Sequence, residues 1–180
     1  MRSVNEKELR WATAYHEAGH AALAAYFERV TTYPILKIIM PLDISTYLGV
    51  TLRRVPENIG VVFRRVLDGD EDFVRAEVML NLAGVLAEEL SGHPVSIDEF
   101  EKSQDRVEID CFLNFRIPRL NGAERESFVN SLREETKGLL SESIRWGRIR
   151  CLAEELYHCP GCPELPAERV YELLGTCWKS

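Results

Sequence analysis

Apolar residues recur at helical spacing through most of the 180-residue chain. The first such stretch, residues 5–29, is rich in Ala, which has the highest helix propensity of the amino acids. Further stretches with this periodicity are predicted to be helices: 71–91, 100–116, 123–157 and 166–175. Gly92 and Pro118 follow two of these stretches, and both residue types commonly end helices. The pattern therefore predicts a mainly α-helical protein.

Two short segments have a pattern more typical of strands. Residues 35–40, ILKIIM, are apolar and rich in β-branched side chains, and residues 49–55, GVTLRRV, follow after a turn. We expect a small hairpin or sheet edge, which either presents an edge strand to an extended peptide or simply covers the core. On the first interpretation, Gly49, Val50 and Thr51 are candidate substrate-binding residues.

Charge and hydropathy exclude several kinds of partner. The net charge is −7 and the isoelectric point is near 5.2. This argues against nucleic acid or an anionic membrane surface, because both attract clustered Lys and Arg. No uncharged apolar run approaches the ~18–20 residues of a membrane helix, and the N-terminus has no apolar signal core. We therefore expect a cytoplasmic protein without a membrane segment.

Two segments leave their structure or role open. Residues 61–69 fit either a short helix or irregular structure. The Pro-rich segment HCPGCPELP is predicted to be a tight connection, and it contains Cys159 and Cys162 in a C-x-x-C motif. A zinc site would require a second C-x-x-C or a His pair, and a redox site would require a βαβ context, so a turn with two thiols is favoured. Five cysteines without an export signal do not predict disulfides.

The most informative motif is H-E-x-x-H at residues 16–20. Four residues apart, His16 and His20 differ by about 40° around a helix axis, so both imidazoles can bind one tetrahedral ion such as Zn²⁺. Glu17 is offset by one residue and is suited to act as general base toward a zinc-activated water. Ala18 and Gly19 keep the helix surface low, so that a substrate backbone could approach. An accidental match is expected well under about once in a hundred such chains.

A catalytic zinc site needs a third protein ligand and an open fourth position. His93 and His158 are the remaining histidines, and neither follows the motif at short spacing. The carboxylate candidates are Glu88, Glu89, Asp98, Glu101, Asp105, Glu108 and Asp110. Asp105 lies on an otherwise apolar helical stripe, where a carboxylate is costly unless it is paired or binds metal. Asp110 shares a stripe with Arg106 and is more typical of the surface.

Three blocks of sequence resemble the peptidase domain of the FtsH-type proteases, which are ATP-dependent, membrane-anchored zinc metalloproteases. The blocks are ATAYHEAGHAALAAY, LGVTLRR and LNLAGVLAEELSG, and they occur in the family's order. The ending LPAERVYELL is also similar to the family's terminal helix. The resemblance implies that the third zinc ligand is an aspartate shortly after the Ala-Glu-Glu helix. Asp105 is at that place, with Asp98 and Asp110 as alternative alignments.

The resemblance implies a mainly α-helical zinc-metallopeptidase domain with one small β-hairpin or sheet after the HEXXH helix. We expect a single domain over residues 1–180, with a zinc-site lobe at 1–117 and a C-terminal helical lobe at 118–180. The family's transmembrane segment and ATPase module have no counterpart here, and no phosphate-binding loop motif occurs.

The expected function is that of a zinc metalloendopeptidase acting on polypeptides. His16, His20 and Asp105 would bind Zn²⁺ and Glu17 would be the catalytic base. Without its own ATPase, such an enzyme would act on unfolded or small substrates or work with a separate ATP-driven unfoldase. The family is hexameric, so a homo-oligomer is a candidate assembly. The alternatives are a catalytically idle binding or adaptor module that retains zinc, and a structural helical protein without metal.

Overall fold

The protein is mainly helical, with one small antiparallel sheet. A computed structural model describes residues 6–40, 49–53, 65, 68, 70–93, 100–116, 121–158 and 164–175. The helices in these ranges are α1 (Glu6–Tyr26), α2 (Glu28–Thr31), α3 (Glu71–Ser91), α4 (Gln104–Arg116), α5 (Gly122–Ser141), α6 (Ser143–His158) and α7 (Ala167–Leu174). The strands are β1 (Ile35–Ile39), β2 (Val50–Arg53) and β3 (Glu164–Pro166). The predicted secondary-structure class is therefore confirmed.

Helices α1 and α3 form the centre of the core. Each is 21 residues long, and they pack against each other more extensively than any other pair of described elements. Ala18, Ala21 and Ala83 are fully buried there, and small side chains allow helices to approach closely. α3 also packs against α4 and α5, while α1 packs against α6. Residues 17–20 of the H-E-x-x-H segment are consequently buried, while His16 is partly exposed.

The ends of α3 follow from its sequence, and the prediction of a helix at 71–91 is confirmed. Asp70 caps the N-terminus, because its Oδ1 accepts a hydrogen bond of 3.0 Å from the backbone N–H of Phe73. Gly92 ends the helix with a φ of 88°, in the left-handed region that favours glycine. Local capping thus places the first and last turns of the helix that faces α1.

Strand β1 is the central strand of the sheet, whose order is β2-β1-β3. Its antiparallel pairing with β2 confirms the predicted hairpin. Residues 164–166, predicted to belong to a connection, instead form β3 and pair antiparallel with β1. In this pairing Leu165 lies opposite Ile38, and both side chains are buried. A strand of three residues is too short for its alternation to be recognised in the sequence.

The prediction of one helix at 123–157 is wrong, because α5 ends at Ser141 and α6 begins at Ser143. Between them Glu142 has an extended ψ of 129°. Its carbonyl accepts a hydrogen bond of 2.8 Å from the backbone N–H of Trp146, and this bond starts the second helix. The Ser141 hydroxyl donates a hydrogen bond to a backbone carbonyl of α5, and such hydrogen bonds compete with continuation of the helix. The interruption allows α5 to pack on α3 and α6 on α1.

Other element boundaries differ by a few residues from the prediction. The helix predicted at 5–29 is interrupted at Phe27, and α4 begins at Gln104 rather than at residue 100. Most of the segment 61–69 lies outside the described residues, as does the C-x-x-C motif. No helix in the described ranges is both long and apolar enough to cross a lipid bilayer.

Candidate metal centre

His16 and His20 of α1 and Asp105 of α4 bring three ligand atoms together. His16 Nε2 lies 2.9 Å from His20 Nε2 and 3.2 Å from Asp105 Oδ2. Asp105 Oδ1 lies 3.6 Å from His20 Nε2. With metal–ligand distances of ~2.0–2.2 Å, the ligand atoms of a tetrahedral zinc are about 3.3 Å apart. The spacing of these three side chains therefore fits one tetrahedral metal ion.

When the two imidazoles are neutral, hydrogen bonds from their Nδ1 atoms leave both Nε2 atoms as acceptors. His20 Nδ1 lies 2.8 Å from the Leu80 carbonyl oxygen, which can only accept, so Nδ1 carries the proton. His16 Nδ1 lies 2.5 Å from Glu88 Oε1, and a carboxylate oxygen likewise accepts. In these neutral forms, the lone pairs of the two imidazoles and of the Asp105 carboxylate face one another. Such an arrangement is repulsive unless a proton or a metal ion lies among them, and metal-binding histidines have partners of this kind at Nδ1.

The charges in the cluster also favour a cation at this point. Burial alone would lower the pKa of His16, but hydrogen bonds to Asp105 and Glu88 outweigh it and raise that pKa well above its ordinary value. Burial would raise the pKa of Asp105, but hydrogen bonds from His16 and His20 instead hold it far below its usual range. Asp105 is therefore ionised at neutral pH, which a carboxylate ligand of a metal must be.

Glu17 has its carboxylate directed to strand β2. The residue is 3% exposed, and Thr51 Oγ1 donates a hydrogen bond of 2.8 Å to its Oε2. A Cβ at Gly49 would lie 2.6 Å from Glu17 Cγ, so only a glycine at that position leaves room for this side chain. Among the described side chains, Thr51 is the hydrogen-bond partner of this carboxylate, and a buried carboxylate is costly unless a positive charge lies nearby. The position of Glu17 is thus consistent with a metal ion at the adjacent cluster.

A cavity of about 680 Å³ lies over the cluster. Its wall includes all of the residues predicted to form the site: His16, Glu17, His20, Gly49, Val50, Thr51 and Asp105. Cavities of this volume are typical of ligand-binding sites. The structure therefore brings the predicted ligands, base and substrate-binding residues together, although Gly49 and Thr51 also have contacts with Glu17 that the sequence did not indicate.

Gly84 of α3 lies directly beneath the two imidazoles. A Cβ at this position would lie 2.6 Å from the Nε2 atoms of both His16 and His20. Any larger residue would consequently displace at least one ligand. The sequence contained a signal for this glycine, since Gly84 falls in the AGV segment of the third block, but periodicity alone does not reveal what it contacts.

Gly19 has a different role from the one predicted. The hypothesis that Ala18 and Gly19 leave a low surface for a substrate is wrong, because both are buried. A Cβ at Gly19 would lie 2.4 Å from the Ala83 carbonyl oxygen and 2.8 Å from the Cβ of Ala87. Gly19 therefore allows α1 and α3 to cross closely and faces the protein interior.

Two glutamates at the end of α3 were candidates for the third ligand, and they face different surroundings. Glu88 bonds Nδ1 of His16 and so orients that ligand, a role the sequence did not indicate. Glu89 instead accepts hydrogen bonds from Arg133 at 2.9 Å and Lys137 at 2.6 Å on α5. The side chain of Glu89 is 33% exposed.

The remaining acidic candidates do not reach the cluster, as far as the described residues show. Asp110 pairs with Arg106 at 3.2 Å across one turn of α4, which agrees with its expected surface position. Glu101 lies 3.4 Å from the same arginine. Glu108 is exposed on α4, and Asp98 lies outside the described residues.

No protein-family model and no curated protein matches this sequence. The resemblance to the FtsH-type peptidase domain therefore rests on the three sequence blocks and the terminal segment quoted above, and it stays a prediction.

Proposed function

We propose that this protein is a zinc-dependent peptidase in which His16, His20 and Asp105 hold the metal and Glu17 is the general base. The observation that carries the proposal is the convergence of two imidazoles and one carboxylate beside the buried Glu17 in a cavity wall, with N–N and N–O distances of 2.9–3.6 Å. Two imidazoles and one carboxylate, with an open fourth position, are typical of catalytic rather than structural zinc sites. When bound, zinc would supply a Lewis acid that polarises a carbonyl group and lowers the pKa of water.

The residues around the cluster have separate tasks in amide hydrolysis. Thr51 holds Oε2 of Glu17, which fixes the carboxylate and leaves Oε1 to accept a proton from water. As that proton leaves, the water oxygen forms a bond to the substrate carbonyl carbon. Glu17 then gives the proton to the amine nitrogen as the C–N bond breaks. Glu88 and the Leu80 carbonyl keep the two imidazoles in place throughout.

The substrate class that fits this site is polypeptide. A cavity of about 680 Å³ has room for a short extended segment and not for a folded domain. The protein would therefore act on unfolded or small substrates, or on chains that a separate ATP-driven unfoldase delivers.

Metal content and cleavage, measured on the same preparations, test the proposal. Protein purified without added zinc should contain about one zinc per chain and should cleave an unstructured polypeptide. Glu17→Gln should retain zinc and lose at least about 100-fold in kcat/KM, as removal of a general base usually does. Glu126→Gln, an exposed position on α5, is the matched control and should behave as the wild type.

Each alternative function predicts a different outcome of this experiment. Stoichiometric zinc without any cleavage would favour a zinc-retaining binding module. Absence of zinc from correctly folded protein would exclude both that module and the peptidase. Asp105→Ala should lose zinc while Asp110→Ala keeps it, and the reverse result would show that the ligand assignment is wrong.

A further inference from the structure

A second polar cluster lies in the wall of the same cavity, around Arg53 on β2. Its Nη1 and Nη2 donate to the two carboxylate oxygens of Glu77 on α3, at 3.0 and 2.9 Å. The two side chains are 17% and 3% exposed, and the guanidinium lies 5.9 Å from the ring centre of Tyr33. Arg53 is therefore a largely buried cation that the protein holds in one orientation.

The pair with Glu77 leaves part of the guanidinium available. A guanidinium has five N–H donors, and the two bonds to Glu77 occupy only the edge formed by its terminal nitrogens. Within the described part of the chain, Glu77 is the hydrogen-bond partner of this group. Arg53 also lines the cavity and its side chain is 17% exposed, so a bound molecule can contact this side chain.

The position of Arg53 relative to Glu17 indicates which part of a substrate it would meet. Arg53 lies two residues after Thr51, which bonds Glu17, so both side chains are on one face of β2. Leu52 between them is exposed on the other face. Two residues of strand span about 6.6–6.8 Å, and an extended peptide has the same rise. A group bound by Arg53 would thus belong to a residue about two positions from the bond that Glu17 acts on.

We propose that Arg53 binds a carboxylate group of the peptide substrate. This inference rests on the proposed peptidase function and names a specificity-determining residue for it. The free edge of a guanidinium matches the two oxygens of a carboxylate, and the fixed orientation reduces the entropy that binding would cost. An acidic side chain and the C-terminal carboxylate have the same chemistry, so both are candidate sources.

Two other charged residues in the cavity wall are less suited to this role. Lys102 is a second cation there, but it is exposed, and an exposed flexible ammonium gains little from an ion pair. Glu108 would repel an anionic ligand, but it is exposed as well, and water and salt screen its charge. Arg53 is distinguished by burial and by the two bonds that hold it.

Matched peptides test the proposal and separate the two sources of the carboxylate. One set has Glu or Gln at each position within two residues of the cleaved bond, and a second set has a free or amidated C-terminus. We expect wild-type protein to cleave at least one carboxylate peptide with a kcat/KM at least tenfold above that of its amide counterpart. Preference within the first set identifies a side chain, and preference within the second identifies the terminus.

Paired substitution avoids leaving a buried charge without its partner. Arg53→Gln combined with Glu77→Gln should reduce the carboxylate preference to less than twofold. Arg53→Lys keeps the charge but not the planar set of N–H donors, and it should reduce the preference partly. Arg75→Gln combined with Glu135→Gln removes an exposed ion pair between α3 and α5 and should leave the preference as in the wild type. Circular dichroism and thermal melting verify that each variant folds.

A binding measurement decides the inference independently of turnover. Zinc-loaded Glu17→Gln protein should bind at least one carboxylate peptide of the two sets at least tenfold more tightly than the same protein with the paired Arg53 and Glu77 changes. Equal binding, or a preference that survives the paired change and is lost in Lys102→Gln, would overturn the assignment. If wild-type protein cleaves no peptide at all, the peptidase function fails, and the binding measurement still decides the role of Arg53.

Discussion

Glycines within helices lie in opposite surroundings in two regions of the molecule. In the α1–α3 crossing, a Cβ at Gly19 or Gly84 would lie 2.4–2.6 Å from atoms of the facing helix. In α5 and α6, a Cβ at Gly138 or Gly147 would have no atom within 4 Å. Glycine destabilises a helix interior by about 1 kcal/mol relative to Ala, so only the first pair has a contact that offsets this cost. The comparison indicates that the close crossing of α1 and α3 is a requirement of the site.

The largest effect is expected for Gly19→Ala. The new methyl group would meet the Ala83 carbonyl oxygen, which is backbone and cannot turn aside as a side chain can. We expect the free energy of unfolding to fall by about 3 kcal/mol, at the upper end of the usual range for overpacking. Urea denaturation measures it, and zinc affinity should fall as well because the helices separate. Unchanged stability would show that α1 and α3 do not approach as closely as described.

Gly84→Ala should affect the metal more than the fold. Its methyl group would lie 2.6 Å from ring atoms of His16 and His20, and these side chains can rotate away. Because rotation removes them from the metal, we expect zinc affinity to fall by at least about 100-fold, as loss of ligand geometry commonly causes. Competition with a chromophoric chelator measures the affinity. The prediction would be contradicted if Gly84→Ala keeps its zinc affinity and loses as much unfolding free energy as Gly19→Ala does.

The sequence predicts the parts of this site that depend on local spacing. Helical geometry puts His16 and His20 on one face of α1, and the 21-residue pattern of α3 marks its extent. Asp105 is favoured because a carboxylate on an apolar stripe needs a partner, and the structure brings it to both histidines. These inferences require only the period of a helix and the cost of burying charge.

Contacts between distant segments could not be predicted in the same way. The bond between Glu88 and His16 joins residues 72 positions apart, and that between Thr51 and Glu17 joins residues 34 apart. Both depend on how elements are offset along one another, which follows from packing of whole surfaces and not from either local pattern. The strand β3 and the break at Glu142 were missed for the same reason, since pairing with β1 and packing against two helices determine them.

Glu88→Gln tests the metal site through a side chain instead of a glycine. The amide retains a hydrogen bond to His16 but not the negative charge that makes the imidazole a better ligand. We expect zinc affinity to fall by about 10- to 100-fold, the usual effect of losing such a partner. Glu89→Gln is the matched control. The Glu89 carboxylate pairs with α5, so this substitution should leave zinc affinity unchanged. Equal effects of the two changes would mean that Glu88 acts only through overall charge.

The smallest effect, and the only stabilising one, is expected for Gly147→Ala in α6. The residue is exposed and a Cβ there would meet nothing within 4 Å, so the methyl group adds helix propensity without a clash. We expect the free energy of unfolding to rise by about 0.5–1 kcal/mol, which raises Tm by about 1–4 °C in a protein of this size. Zinc affinity should stay at the wild-type value. A destabilising result would mean that another surface packs against Gly147. Gly147 would then differ from Gly19 and Gly84 in what it contacts, and not in having open space around it.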